Sequence, residues 1–517
     1  MNIFTRPVPK AAPPGPPPAA ADAPAVPEAG DGWVAPWPRV DATFTALVGL
    51  IFTAFAMTSG GGSGSQLAHT TAYGVLATLL ASFAFEARGG FKNLIRPDLV
   101  GILALYYLTL YEFLFPQPYF DSSTKGVHSV YLGLWAVLIG FIGLFIGRHL
   151  VPRGRQPFEQ VMTRPVPPGW LVGVMWFCFF AGFLHVLLGV EFDLTRIIPE
   201  MMKSRFEVPW ARGRLGDWRA LINELSLLLY LVPPIVGLMF GRRERYSSPS
   251  LVLALLAYLW LLFFGFTAGA RTVFAAYLVT FLIAFTFSSP PQRRTQVLAV
   301  AAICAVMIIM ATKLMLDMRG LGMKRWLEKE ASAKVSRFHS YVFVDDNLVA
   351  ISVIADYFPD RNGGQYLGLE IPYLTLIRPI PRALWPGKPT GSSVSVESIF
   401  KVKGMTIAAT FVGEAYMSGG LFAVAIEAIL LGILASFWNR CASPKNSELG
   451  LLVYASGFFA VTITMRSGTA LTTAVLPSVA AILIGKYLVP RIRGRFKPRS
   501  LPPVRPPGQR QAQPPAG

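Results

Sequence analysis

Long apolar segments separated by short polar ones run through the chain from about residue 42 to residue 487. A helix of about 20 mostly apolar residues crosses the roughly 30 Å of hydrocarbon in a bilayer. By this criterion the pattern predicts twelve membrane-spanning helices, near residues 42–59, 67–86, 99–115, 129–147, 169–190, 220–240, 249–267, 271–288, 296–315, 410–438, 449–465 and 470–487.

The composition also indicates a polytopic membrane protein. Of the 517 residues, 53% are hydrophobic and 15% are charged, whereas soluble domains average about 25% charged residues. The predicted fold is therefore all-α and polytopic, with about twelve transmembrane helices. The three cysteines are scattered and the chain has no HExxH motif or Cys/His cluster. We therefore predict no disulfide framework, no metal site and no cofactor.

The formal net charge of +19 favours membrane orientation over nucleic-acid binding, because Lys and Arg concentrate in alternate short loops. With the N-terminus inside, the cytoplasmic segments contain Arg88, Lys92, Arg96, Arg148, Arg153, Arg155, Arg164, Arg242, Arg243, Arg245, Arg293, Arg294, Arg440, Lys445, Arg491, Arg493, Arg495, Lys497 and Arg499. The four short outer loops contain only Lys125, Arg271 and Arg466. This alternation predicts that both termini are cytoplasmic.

The predicted spans divide the chain into seven segments. They are a disordered Pro-rich cytoplasmic tail (1–40), spans one to five (41–190), a medium outer loop (191–219), spans six to nine (220–315), a large outer loop (316–410), spans ten to twelve (411–487) and a basic Pro-rich cytoplasmic tail (488–517). Within the large loop, the spacing of apolar residues predicts an amphipathic helix over Lys324–Val353.

Arg271 and Arg466 each lie between two long apolar runs, on the side where the chain otherwise avoids positive charge. An ionisable residue at such a position indicates a functional site. The alternative is that the long side chain simply extends to place its charge at the membrane–water interface. Other cations on the same predicted face are Arg205, Arg378, Arg382 and Lys388. Guanidinium groups bind phosphate through paired hydrogen bonds, so the set predicts a site for a lipid-linked phosphate or diphosphate.

Three further side chains on this face are candidates for the site. Glu414 lies at the start of the tenth predicted span, where it pairs with an arginine, stabilises a helix terminus or acts as a base. Trp385 and Tyr416 either stack on sugar rings or anchor the chain at the membrane interface.

Several short motifs on this face are shared with a known family. The most specific is Pro379-Ile-Pro-Arg-Ala-Leu-Trp-Pro-Gly-Lys-Pro389, followed by Gly413-Glu-Ala-Tyr-Met-Ser-Gly-Gly420. With Ala268-Gly-Ala-Arg-Thr272 and Arg466-Ser-Gly, these resemble bacterial oligosaccharide repeat-unit polymerases, the O-antigen polymerase group. Members of that group often have Gly directly after the two arginines, whereas this chain departs from the pattern with Thr272 and Ser467. Arg205 and Gly216 fit the Arg-x10-Gly pattern of some such polymerases. The resemblance covers roughly residues 191–484.

This resemblance implies a GT-C-like glycosyltransferase in the bacterial cytoplasmic membrane, with its active site on the periplasmic face. Such enzymes transfer a growing glycan from undecaprenyl diphosphate to the sugar of a new lipid-linked repeat unit, with inversion and without a metal ion. The product is O-antigen, capsule or exopolysaccharide. The implied partners are the lipid-linked donor and acceptor, the membrane and a chain-length regulator.

On this interpretation Arg271, Arg382 and Arg466 stabilise the diphosphate and Glu414 is the base. The predicted substrate-binding residues are Arg205, Arg378, Lys388, Trp385 and Tyr416. An O-antigen-type ligase, which uses the same donor with a different acceptor, remains an alternative. So does a flippase or other transporter of lipid-linked oligosaccharides, although its charges would line a path through the bilayer rather than gather at one face.

Overall fold

The computed structural model describes residues 36–151, 155–204, 207–210, 222, 224–318, 322–332, 344–382, 384–389, 391–401, 407–443 and 445–488. Within these ranges every regular element is a helix, which confirms the predicted all-α class. Most of both predicted tails lies outside the described residues, and so does Arg205.

Eight α-helices occupy the described residues before position 205. They are α1 (Val40–Ser59), α2 (Gly64–Ala87), α3 (Pro97–Thr109), α4 (Phe120–Ser123), α5 (Val127–Gly147), α6 (Glu159–Met162), α7 (Pro168–Gly189) and α8 (Leu194–Met201). The sequence favours their starts: the Ser63 side chain caps α2, and a proline in the first turn of α3 and of α7 has no N–H to satisfy there.

Eleven more α-helices follow in the described part of the chain. They are α9 (Val232–Gly241), α10 (Ser248–Thr267), α11 (Arg271–Ser288), α12 (Arg294–Met318), α13 (Met323–Ser332), α14 (Asn347–Tyr357), α15 (Glu370–Ile377), α16 (Val396–Ile399), α17 (Thr410–Cys441), α18 (Glu448–Arg466) and α19 (Leu471–Leu483). Short 3-10 turns lie at Phe91–Leu94, Tyr111–Leu114, Leu225–Leu231, Arg243–Arg245, Pro291–Arg293, Asp360–Asn362 and Gly468–Ala470, and a π-helical turn at Ile484–Leu488.

Ten helices in the described residues are long and apolar enough to cross a membrane. They coincide with ten of the twelve predicted spans, so the chain is a polytopic membrane protein. The other two predicted spans contain shorter apolar helices, Pro97–Thr109 and Leu225–Gly241. The first ends early because a 3-10 turn containing Glu112 follows it, and the second begins as a 3-10 helix. The count of twelve crossings stays a prediction.

The predicted helix over Lys324–Val353 is not continuous. It is interrupted at Val344, Asp345 and Asp346, which are non-helical, and residues 333–343 lie outside the described residues. The interruption arises because the Val344 amide and carbonyl bond to side chains of other helices, as described below. Beyond it α14 is buried from Asn347 to Ala355, so part of the large loop belongs to the core.

Helix α14 packs directly on α5 and α17. A methyl group at Gly133 of α5 would lie only 2.9 Å from the Ser352 hydroxyl of α14, so glycine permits the close approach. Farther along α5, Gly143 faces the Ala428 methyl and Gly147 the Ile429 backbone of α17. Small residues bring helices together in this way within membranes. This contact fixes α17, which contains Glu414.

A fully buried ion cluster joins the C-termini of α2 and α5 to the N-terminus of α3. Arg96 contacts Glu86 at 2.8 Å and Asp98 at 2.9 Å, and Arg148 contacts Glu86 at 3.1 Å. Each side chain is at most 2% exposed. Asn439 of α17 also donates to Asp98 at 2.8 Å. The two positive and two negative charges balance, as burial of ions requires.

Candidate functional site

A partly open cavity of about 210 Å³ is lined by both of the arginines singled out in the sequence. Its volume corresponds to several water molecules. The lining side chains come from α3, α10–α11, α12, the segment before α14, and α18. They are Ala104, Tyr107, Leu108, Gly269, Arg271, Thr272, Phe274, Ala275, Ile308, Ala311, Val344, Asp345, Thr462 and Arg466.

Arg271 is the first residue of α11, and a sharp turn sets its position. Gly269, between α10 and α11, has a φ of +62°, a left-handed conformation that favours glycine. The Arg271 guanidinium donates a hydrogen bond to the Val344 carbonyl oxygen. The Ala-Gly-Ala-Arg-Thr motif therefore places a cation against the segment that leads into α14.

Arg466 is the last residue of α18, and its guanidinium reaches the same segment. It donates to the Thr272 hydroxyl at 3.2 Å and contacts Asp345 Oδ2 at 3.4 Å. Thr272 follows Arg271 in sequence and Asp345 follows Val344. The two arginines, far apart in the chain, thus share adjacent neighbours in one cavity.

Glu112 fixes the segment that both arginines contact. Its carboxyl accepts a hydrogen bond from the Val344 amide at 3.1 Å, and the Asn347 side chain donates to the Leu108 carbonyl at 2.9 Å. Glu112 lies in the 3-10 turn beyond the end of α3 and is only 5% exposed.

Glu414 of α17 binds the turn that follows Arg466. Its carboxyl accepts hydrogen bonds from the Ser467 hydroxyl at 2.7 Å and from the Thr469 amide at 2.8 Å. The Thr469 amide belongs to the 3-10 turn Gly468–Ala470, so Glu414 holds that turn in place. The Glu414 carboxyl group therefore lies beside the turn that directly follows Arg466, one of the residues that line the cavity. The roles predicted for Glu414, as an arginine partner, a stabiliser of the helix terminus at the start of its span or a base, stay predictions.

Arg378, at the end of α15, approaches Glu414 through Thr469. Its guanidinium donates to the Thr469 hydroxyl at 2.7 Å, and that hydroxyl lies 3.5 Å from Glu414 Oε1. The Lys388 ammonium in turn donates to the carbonyls of Arg378, at 2.9 Å, and of Ile380, at 2.7 Å. Among Arg378, Arg382 and Lys388, the predicted loop cations that the structure describes, Arg378 is the one linked to Glu414 through Thr469, and Lys388 holds its backbone.

Arg382 is exposed and donates to the carbonyls of Lys388, at 3.1 Å, and Pro389, at 2.8 Å. These bonds close the Trp-Pro-Gly-Lys-Pro turn, and they give Arg382 a local structural role away from the lining of the cavity. Trp385 is half-buried in the same turn. Tyr416 is 4% exposed and packs edge-on against Tyr366, so its ring face is covered by protein.

Two features of the site did not emerge from the sequence. Glu427 of α17 is an acidic residue within an apolar run, and α17 is broken at Gly419 and Gly420. A carboxyl group inside a span and a pair of glycines are the signals that would have identified them. In the described ranges, no three His, Cys, Asp or Glu side chains form a group able to hold a metal ion.

Comparison of this chain with protein-family models, with curated proteins and with solved structures gives no match. Function is therefore inferred from the geometry of the cavity and of the Glu414 cluster, which consists of Glu414 and its neighbours Arg378, Ser467 and Thr469.

Proposed function

We propose that the protein is a membrane glycosyltransferase that polymerises oligosaccharide repeat units carried on undecaprenyl diphosphate. The observation that supports this proposal is the convergence of Arg271 and Arg466 in one cavity beside the Glu414 cluster. Guanidinium groups are the side chains best suited to bind a diphosphate through paired hydrogen bonds. A carboxyl group next to them supplies a candidate base.

In the proposed reaction the anomeric carbon–oxygen bond of the donor breaks and negative charge develops on the diphosphate. Arg271 and Arg466 stabilise that charge, and Asp345 releases Arg466 to the incoming phosphate. Glu414 accepts the proton of the acceptor hydroxyl. A carboxylate has about four acceptor positions, so its hydrogen bonds with Ser467 and Thr469 leave room for this role.

The remaining parts of the proposal have two sources in the sequence. The bias of Lys and Arg toward alternate loops supports cytoplasmic termini and a periplasmic site, whereas the GT-C-like fold, the product and the partner come from the resemblance to oligosaccharide repeat-unit polymerases. The product is an O-antigen, capsule or exopolysaccharide, and a chain-length regulator is a proposed partner. Arg378 and Lys388 shape the region around the base, through Thr469 and through backbone carbonyls respectively.

The proposal is tested with purified protein, an undecaprenyl-diphosphate-linked repeat unit and no added metal ion. Polymerisation gives a ladder of products spaced by one repeat unit on a gel. Transfer of a single glycan to a lipid A–core acceptor without a ladder would instead identify a ligase. Movement of the lipid-linked unit between the leaflets of proteoliposomes, with no new glycosidic bond, would identify a transporter and refute the proposal.

A further inference from the structure

The break in α17 brings together two acidic residues that a straight helix would separate. Thirteen residues correspond to roughly 20 Å along a straight α-helix and to faces about 140° apart. Yet Glu414 and Glu427 both approach Gly468: a methyl group there would overlap Glu427 Oε1 and lie 3.4 Å from Glu414 Oε2. The two carboxyl groups therefore meet beside the turn that follows Arg466.

Contacts from the large loop stabilise the break itself. Gly420 has a φ of +63°, which glycine adopts without strain. The amides of Leu367 and Gly368 donate to the Met417 and Ser418 carbonyls at 2.8 and 2.9 Å. These bonds satisfy carbonyl groups that the interrupted helix leaves open, as buried backbone requires. The juxtaposition of the two acids is thus built into the fold.

Hydrogen bonding differs sharply between the two carboxyl groups. Glu414 accepts bonds from Ser467 and Thr469. In the described part of the chain, the Glu427 carboxyl has no hydrogen-bond or ion-pair partner, although it is partly buried. Donors stabilise the ionised form of an acid, whereas burial and a neighbouring negative charge stabilise the protonated form.

From this asymmetry we infer that Glu414 and Glu427 form a carboxyl pair that holds one proton on Glu427 and keeps Glu414 ionised as the base. Two carboxyl groups that face the same glycine repel each other when both are ionised, so one proton is retained by the pair. Glu427 then acts as a positioning residue, because its neutral form leaves the negative charge on Glu414. The role of the pair in transfer rests on the proposed function, whereas the location of the proton does not.

The surrounding charges agree with this assignment. Arg378, at the end of α15, approaches Glu414 through the Thr469 hydroxyl. The turn Gly468–Ala470 contains no titratable side chain. Arg466, which precedes it, bonds to Thr272 and Asp345. The positive field is therefore directed at Glu414, the member assigned the negative charge.

The consequence for the reaction is a defined proton balance. Before transfer the pair has one proton and one negative charge. The proton of the acceptor hydroxyl passes to Glu414 as the new glycosidic bond forms and the diphosphate leaves, so the pair becomes neutral; the proton then returns to solvent. If Glu427 ionises at high pH, a second negative charge appears near the leaving diphosphate and slows the reaction.

Infrared spectroscopy of the full-length protein in lipid nanodiscs tests the location of the proton. At neutral pH the carbonyl stretching band of protonated carboxylic acids is expected to lose intensity in Glu427→Gln but not in Glu159→Gln, which removes an exposed carboxyl group. In Glu414→Gln the titration midpoint of the Glu427 signal should move to lower pH, because the neighbouring negative charge is gone. An unchanged band in Glu427→Gln would overturn the inference.

Polymerisation rates test the catalytic part separately. The wild-type rate should decline at alkaline pH, and Glu427→Gln, which cannot ionise, should lose that decline. A decline that persists in Glu427→Gln would overturn the role of Glu427. A wild-type protein with the expected infrared signal but without polymerase activity would refute the proposed function and leave the carboxyl pair intact.

Discussion

Replacement of Arg271 by alanine is the perturbation whose effect follows most directly from the cavity. A unit charge about 4 Å from a phosphate oxygen, at an effective dielectric constant of about 20, contributes roughly 4 kcal/mol. Since about 1.36 kcal/mol corresponds to a tenfold change in rate, the upper limit is a loss of about 10³-fold. Removal of a single stabilising donor typically costs about 10²–10³-fold, and we expect Arg271→Ala to fall in that range.

Arg271→Lys separates charge from geometry. Lysine keeps the charge but lacks the planar guanidinium group, whose several N–H donors can bind the Val344 carbonyl and a phosphate at the same time. A lost hydrogen bond to a charged group costs about 1.5–3 kcal/mol, which predicts a loss of about 10–100-fold. The diphosphate of the lipid-linked glycosyl donor is already negatively charged before transfer begins, so both Arg271 substitutions should also weaken substrate binding. Part of each loss in rate should therefore appear as a higher KM.

The assay is the initial rate of polymer formation by purified variants with a diphosphate-linked repeat unit. Arg361→Lys is the matched control, since Arg361 is exposed and pairs with Asp356 rather than facing the cavity. Its rate should stay at the wild-type value. An Arg271→Ala protein that folds and works within about threefold of wild type would refute the assignment of Arg271 to the site.

Three further perturbations follow from the structure. Glu86→Gln should destabilise the protein by about 3–5 kcal/mol, because it leaves a buried positive charge uncompensated; thermal melts should show partial recovery in the double variant with Arg148→Met. Gly468→Ala should lower the polymerisation rate because its methyl would displace the Glu427 carboxyl group, whereas Gly391→Ala, with open space around it, should leave the rate unchanged. Glu112→Ala removes the acceptor of the buried Val344 amide and should lower stability by about 1–3 kcal/mol in the same melts; Glu112→Gln, which keeps an acceptor oxygen, should lose less.

Much of the fold was predictable because long apolar segments have few alternatives in a membrane. The ten long helices follow the apolar runs closely, from Val40–Ser59 to Gly468–Tyr487. Helix α14 was not predicted as a separate core element, because its burial depends on Gly133 of α5 and on bonds from Glu112 to Val344. Such tertiary contacts between distant segments leave no periodic signal in the sequence.

The candidate site was partly predictable for the same reason. Arg271, Arg466 and Glu414 are charged residues at the ends of apolar runs, so the sequence alone identified them. In the structure the two arginines line one cavity, and Glu414 bonds to Ser467, the residue after Arg466. Whether Arg378 or Arg382 approaches Glu414 depends on the conformation of the loop, which the sequence does not encode in any periodic way. Glu427 lies in the apolar run that gives α17 its length, and its approach to Gly468 requires the break at residues 419–420.

Binding of polyprenyl diphosphate to the purified protein tests the central claim most directly. Wild-type protein and the double variant Arg271→Gln/Arg466→Gln are compared by native mass spectrometry, with polyprenyl monophosphate as the competing lipid. The account predicts that the wild type binds the diphosphate in preference to the monophosphate and that the double variant loses this preference. Equal and undiminished binding of the diphosphate by the folded double variant would contradict it.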